Sequence, residues 1–226
     1  MKIGIIGSGN MGRSLGILWA ELGHQIYFGA RTKEKGEAVA ELAKNSTQGG
    51  SNDEAAAWGE VLLYTIRGVN PAEVLGDIEV LSGKILIDCN NFEIPEGFAY
   101  EPIQKSLAEK LASEVPKVRV VKAFNTMAQE LFELAPTPLK DNNVSCFVAG
   151  DDEEARIKVM KLAEDIGFNP VDCGGLRNAR LLEGLGDFIR FMIIGQKLGS
   201  YATVSVDVLP AAQKERLGGR QVSKLN

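Results

Sequence analysis

The sequence predicts an α/β protein with a doubly wound, mainly parallel sheet and a small C-terminal extension. Three observations carry that expectation. Short runs rich in branched apolar residues alternate with longer segments of helical period, the pattern of a sheet covered by helices. The first run, Ile3-Gly4-Ile5-Ile6, is apolar on both alternating faces, as a strand buried on both sides requires. It leads directly into a glycine-rich turn that opens a helical segment.

Strands are expected at residues 2–7, 25–29, 61–66, 84–89, 119–124 and 144–149. Helical segments fall at 11–22, 33–43, 53–58 and about 71–75, then at 102–113 and 152–166. Pro102 suits a first helical position, and Gly23 and Gly167 suit C-terminal stops. A last helical segment, about 177–198, spreads Leu181, Leu182, Leu185, Phe188, Ile189, Met192 and Ile193 over a face too broad for a solvated helix. That face either packs on the sheet or forms a dimer contact or ligand wall. Pro136 and Pro138 interrupt the pattern, which suggests a first domain over 1–135 and a subdomain over 136–226 packed on it. Residues 210–226 are polar, hold Gly218-Gly219 and read as a flexible tail.

Composition narrows the function. With 25 basic against 30 acidic residues the chain is net acidic, which argues against nucleic-acid binding, since that needs a basic surface to displace counterions. Cys89, Cys146 and Cys173 are odd in number and form no C-x-x-C, so neither a disulfide framework nor a zinc site is expected and a reducing compartment fits. No apolar run reaches the ~18 residues of a membrane helix, and the glycines near the start interrupt any signal-peptide core. A cytoplasmic protein without membrane insertion is the expectation. The single histidine, His24, makes histidine-clustered metal sites and a Ser-His-Asp triad improbable, and it lies in the turn before the second strand, away from the strand ends where ligands bind.

The strongest motif is Gly7-Ser8-Gly9-Asn10-Met11-Gly12, a G-x-G-x-x-G between the first strand and the first helix. Gly7 permits the tight turn, Gly9 lets the backbone approach a pyrophosphate, and Gly12 allows close packing of helix on strand. The helix N-terminus then holds the anion. A glycine-rich turn that only joins strand to helix is the alternative. With a strand before it, a helix after it and a second strand in place, the motif makes the expected fold a Rossmann-type dinucleotide-binding one.

The end of the second strand selects the dinucleotide. An NAD site presents an acid there for the ribose 2′-hydroxyl, but this chain has no acidic residue between Glu21 and Glu34. It has Gly29-Ala30-Arg31-Thr32-Lys33, then Lys35. A guanidinium forms charge-assisted bonds to a 2′-phosphate that a carboxylate would repel. NADP(H) is therefore the better match, a solvated helix start being the alternative for Arg31 and Lys35.

With these motifs in place the sequence resembles the coenzyme F420-dependent NADP oxidoreductases, and also the cytosolic NADPH-binding domains of the membrane metalloreductases. The likeness runs through G-S-G-N-M-G, G-A-R-T-K-E-K, L-L-Y-T-I, V-V-K-A-F-N-T and V-A-G-D-D-E-E-A, and continues over residues 167–174 and Ala179-Arg180. It implies that Ser8, Gly9, Asn10 and Met11 contact the pyrophosphate side and that Arg31, Thr32 and Lys35 hold the 2′-phosphate. Thr65 and Ile66 would line the ribose and nicotinamide, and Asn90, Ala123 and Asn125 would approach the nicotinamide ring. Two departures stand out. Arg67-Gly68 occupies the place where the deazaflavin enzymes tend to carry proline, and Arg67 either meets an anionic substrate or points to water. Residues 122–126 resemble the metalloreductase domains more closely.

The expected activity is hydride transfer between NADP(H) and a small-molecule acceptor or donor, a deazaflavin resembling coenzyme F420 or a flavin. Such transfer needs juxtaposed rings and a dry pocket rather than a protein acid, so no catalytic side chain is assigned. Reduction of another small molecule or metal chelate, and a non-catalytic NADPH-binding redox sensor, are the alternatives. The 101 residues after Asn125 (226 − 125 = 101) leave no room for a full helical substrate domain. A homodimer is expected through the apolar face of the last helix.

Overall fold

The computed structural model describes residues 1–43, 47–134 and 136–209; the expected flexible tail at 210–226 lies outside the described residues. Among the described residues eight strands and seven α-helices alternate. They are β1 (Lys2–Ile6), α1 (Asn10–Glu21), β2 (Gln25–Ala30), α2 (Lys33–Ala43), β3 (Gln48–Ser51), α3 (Asn52–Trp58), β4 (Val61–Tyr64) and β5 (Ile85–Asp88). There follow α4 (Leu107–Glu114), β6 (Arg119–Lys122), α5 (Pro136–Asp141), β7 (Ser145–Gly150), α6 (Glu153–Asp165), β8 (Asn169–Asp172) and α7 (Ala179–Arg190). The sheet order is β3-β2-β1-β4-β5-β6-β7-β8. Every neighbouring pair is parallel except β6 and β7. The strand order reverses between β1 and β4, which opens a crevice beyond the carboxyl ends of those strands.

β1, β4 and β5 are buried along nearly their whole length, as helices on both faces of a parallel sheet demand. On one face Leu15 and Trp19 of α1 join Ile3, Ile5 and Phe28 of the sheet with Val159 and Leu162 of α6. The indole Nε1 of Trp19 donates to Leu162 O at 3.2 Å, so α6 is tied to the first half of the chain. On the other face Ala56 of α3 and Ala108 and Leu111 of α4 pack with Ile6, Leu62 and Leu86.

Several elements differ from the sequence expectation, each for a local reason. β3 has no branched residue, yet Gln48-Gly49-Gly50-Ser51 pairs with β2 because its glycines let α2 lie against it; a Cβ on Gly49 would stand 2.1 Å from Gly36 O. β8 contains Pro170, tolerated on an edge strand that pairs with β7 alone. α5 begins on Pro136 and carries Pro138, both in a first turn that needs no amide donor. The helix expected over 102–113 is α4, which starts later. Ser106 and Glu109 form a capping box there, Oγ accepting from Glu109 N at 3.1 Å and Oε2 accepting from Ser106 N at 2.8 Å. The segment expected as one helix over 177–198 is α7 followed by a π-helical turn, Phe191–Gly195.

Candidate active site

The G-x-G-x-x-G turn folds as its glycines require. Gly7 has φ +95°, and a Cβ there would meet Thr65 Oγ1 at 2.6 Å; a Cβ on Gly12 would meet Gly7 O at 2.4 Å. Gly9 is different. Its backbone is extended, φ −73° and ψ −165°, which any residue adopts, and a Cβ on it would meet nothing within 4 Å. The fold does not need glycine at position 9, so open space above the turn is what remains to explain it. α1 also begins without a capping side chain or an acidic residue in its first turn, whereas α3, α4 and α6 are capped by Ser51, Ser106 and Asp152. The first amides of α1 are left for an external acceptor. Asn52, which sequence reasoning missed, holds the turn by accepting from Gly7 N at 3.1 Å; it carries no motif, and only the start of α3 brings it there.

This turn floors a groove of about 740 Å³ that Gly7, Ser8, Gly9, Arg31, Lys35 and Ile66 help to line. Of the three cations at the start of α2, Lys33 pairs with Glu54 at 3.6 Å and Glu37 at 4.0 Å. Arg31 and Lys35 have no ion-pair partner among the described residues and face the groove. Its carboxylates Asp53 and Glu73 are committed to main-chain donors, Gly76 N at 2.7 Å and Asn70 N at 3.3 Å. The cationic end of the groove is thus open to a phosphate.

A second hollow of about 470 Å³ adjoins it, lined by Met11, Thr65, Asn90, Asn125, Phe124 and Cys89 on the strand-end side. Ile189, Arg190, Ile193 and Ile194 form the opposite wall. Arg67 also lines it and pairs at 2.8 Å with Glu93, both substantially exposed. Thr65 of the second hollow donates its hydroxyl to the carbonyl of Gly7, which lines the first, at 2.5 Å. Of the residues singled out in the sequence, Asn10, Thr32 and Ala123 line neither hollow. Asn10 and Thr32 are exposed beside the turn and the start of α2. Ala123 is fully buried, its N–H donating to Asp88 O at 3.1 Å.

Joined to Asn90 of the second hollow is a buried charge cluster that sequence reasoning did not find. Lys122 Nζ donates to Asp88 Oδ2 at 2.9 Å, to Glu183 Oε1 at 2.8 Å and to the Asn90 carbonyl. All three of its hydrogens are used. Burial opposes the ammonium, but Asp88 and then Glu183 outweigh it and hold the lysine pKa above its ordinary value. Glu183 also accepts from Leu107 N at 2.9 Å, which bolts α7 to the start of α4. Phe124 adopts φ +59° at the end of β6. This is an uncommon conformation for a bulky residue and marks a constrained strand end.

The remaining candidates have structural roles. Burial pushes the Cys89 and Cys146 thiols up to about 12, so neither is a nucleophile at neutral pH. His24 lies at the amino end of the sheet, Nε2 3.6 Å from Asp165; burial foremost, then the N-terminal charge, lowers its pKa against the pull of Asp165. Among the described residues no group of three or more His, Cys, Asp or Glu could hold a metal ion. No helix among them is long and apolar enough to cross a membrane.

Sheet order and glycine-rich turn define a Rossmann-type fold of the dinucleotide-binding class. Residues 2–92 match the family model described as NADP oxidoreductase, coenzyme F420-dependent. The chain is 32% identical to the F420-dependent NADP reductase of Methanothermobacter marburgensis, over 81% of this chain and 88% of that one. It belongs to the F420-dependent NADP oxidoreductase family. It is also 32% identical to Metalloreductase STEAP3 of Rattus norvegicus over 81% of its length, but spans only 36% of that protein. Among solved structures, one from Arthrobacter sp. FB24, provisionally assigned as an F420-dependent NADP-reductase, superposes with a TM-score of 0.78 at 26% identity. That likeness covers 92% of this chain and 100% of the other.

Proposed function

We propose that this chain transfers hydride between NADP(H) and a flat-ring partner, a deazaflavin of the coenzyme F420 type or a flavin. The observation that carries the reading is the open, uncapped glycine-rich turn at Gly9 with Arg31 and Lys35, which have no ion-pair partner among the described residues, at the end of the same groove. In it Ser8, Gly9 and the first amides of α1 hold the pyrophosphate, with Asn10 and Met11 alongside. Arg31 and Lys35, flanked by Thr32, hold the 2′-phosphate, and Thr65, Ile66, Asn90 and Asn125 receive the nicotinamide end above Ala123. When bound, the nicotinamide supplies the hydride chemistry. The protein aligns the partner against it and excludes water through the apolar wall of Ile189, Ile193 and Ile194. Residues 1–135 supply the phosphate groove, and residues 136–226 complete the second hollow through α7 and the turn after it.

A second reading, reduction of another small molecule or metal chelate, is supported by the metalloreductase relative and by Arg67, a cation at the mouth of the second hollow. Steady-state NADPH oxidation against deazaflavin, flavin and ferric-chelate acceptors tests both. Turnover with the ring acceptors is expected, and turnover with the ferric chelate alone would replace the first reading by the second.

The finer setting belongs to the same proposal. The chain works as a homodimer in a cytoplasmic, reducing environment without a nucleic-acid partner. In support, Leu181 and Phe188 stand 72% and 51% exposed on α7, all three cysteines are free, and acidic residues outnumber basic ones.

A further inference from the structure

The charges of the cluster around Lys122 do not balance. Among the described residues the buried charged side chains are Asp88, Lys122, Glu183 and Asp187. Asp187 pairs with Arg190, which leaves one ammonium between two carboxyl groups. Asp88 Oδ1 accepts from Asn90 N at 3.0 Å and from Asn90 Nδ2 at 2.7 Å, and its Oδ2 accepts from Lys122 at 2.9 Å. Glu183 accepts from Lys122 Nζ at 2.8 Å and from the amides of Leu107 and Ala108 at 2.9 and 3.3 Å. All of these partners are donors, so a carboxylic acid O–H in either place would meet no acceptor among them. Burial foremost raises the Glu183 carboxyl, while Lys122 and the Leu107 amide draw it back down. Both groups are carboxylates, and the cluster holds one excess negative charge.

One carboxylate would offset Lys122, and a second adds the cost of taking another charge out of water. The cluster is joined to the second hollow by a single residue. Asn90 lines that hollow, bonds Asp88 through its side chain and accepts from Lys122 on its carbonyl. The other charges at the hollow are offset or wet. Arg67 pairs with Glu93, Arg190 pairs with Asp187, and Glu130 is partly exposed, where water and salt screen it. Asp88, Lys122 and Glu183 are 1%, 0% and 0% exposed, so their field is screened little.

We infer that the Asp88–Lys122–Glu183 cluster is a fixed negative field that lowers the reduction potential of NADP(H) bound beside Asn90, and so favours hydride release from NADPH. Hydride departure breaks one C–H bond, carries both electrons to the acceptor ring and leaves the nicotinamide with one positive charge. A preorganised negative charge stabilises that cationic ring and not the neutral reduced one. At about 10 Å and an effective dielectric constant of about 20, one unit charge changes the ratio of the two affinities about tenfold or more. The inference rests on the NADP(H) reading above and adds a direction to it.

Titration calorimetry on the full chain, with no acceptor present, tests it through the dissociation constants of NADP⁺ and NADPH. Glu183→Gln removes the excess charge, and NADP⁺ should then weaken about tenfold relative to NADPH. That shift raises the potential of the bound couple by about 30 mV. Adding Lys122→Met leaves Asp88 as the one charge of the cluster, and the ratio of the two constants should return to within about threefold of the parent. A purely structural role predicts the opposite, because the double variant has lost more of the cluster's bonds. Should Glu183→Gln fail to fold, Asp88→Asn makes the same change of charge and is read in its place, alone and with Lys122→Met. An unchanged ratio in the single variant, equal weakening of both dinucleotides, or a double variant no nearer the parent overturns the inference while leaving the NADP(H) reading intact. Failure of both dinucleotides to bind the parent removes that reading and this inference with it.

Discussion

Gly9 and Arg31 stand in the same groove, and substituting them separates two kinds of contact. Gly9→Val places a branched side chain in the open space above the glycine-rich turn, where its Cβ meets no protein atom within 4 Å. The melting temperature should stay near that of the parent while dinucleotide binding is lost; unchanged NADPH affinity by calorimetry would make the turn a connector only. Arg31 meets no carboxylate among the described residues, so Arg31→Ala should weaken NADPH by about 1–3 kcal/mol and NADH little. Equal losses for both would remove the 2′-phosphate assignment. The three glycines of the turn were legible in the sequence, but the distinct reason for Gly9 was not. That reason is an absence of neighbours, which no local pattern records.

α7 is held to the body of the protein by two ionic attachments of different character. Arg180 grips Glu109 of α4 with two bonds, 2.7 and 2.6 Å long, and this hydrogen bonding foremost brings the Glu109 carboxyl down from 4.5 to about 2. A carboxyl whose folded-state pKa is depressed adds stability above its unfolded value and loses it as pH falls through the folded one. Arg180→Ala should therefore be destabilised at pH 7, with the gap to the parent closing between about pH 4.5 and 2 in thermal melts. A gap independent of pH would deny the pair its role. The second attachment is Lys122. Lys122→Met strands Asp88 and Glu183 as buried carboxylates and should cost about 3–5 kcal/mol in denaturant unfolding, part of it recovered when Glu183→Gln is added. Simple additivity of the two substitutions would show that they do not interact. Neither attachment could be read from the sequence, because each joins strands and helices far apart along the chain. Capping boxes such as Ser106-x-x-Glu109 are local, and weighing that pattern above Pro102 would have placed the start of α4 correctly.

Taken whole, the molecule sets the groove over its glycine-rich turn and its second hollow near one another beyond the strand ends, with α7 lining the second and exposing Leu181 and Phe188. The proposed homodimer uses that far side. Light scattering at micromolar concentration should give a dimer mass for the parent and a monomer mass for Leu181→Asp/Phe188→Asp; a monomeric parent would end the proposal. Ring-to-ring transfer in such a hollow depends on alignment. No single substitution of an ionisable residue lining it, Arg67, Glu93, Glu130 or Arg190, is then expected to abolish turnover. A loss in kcat above about 10³-fold with NADPH still bound would indicate a proton-transfer step instead.

By itself the sequence determined the alternation of strands and helices, the glycine-rich turn and the cationic start of α2, because hydrophobic period, glycine geometry and charge act over a few neighbouring residues. It did not reveal β3 or β8, whose glycine and proline residues form strands only because neighbouring strands and helices accept them. Tertiary structure alone decided how the polar side chains of the second hollow are held. There Asn90 and Asn125 are fixed by Tyr64, Asp88, Asn91 and Leu182, and which atoms of an asparagine remain free depends on partners that only the folded chain brings within hydrogen-bonding reach.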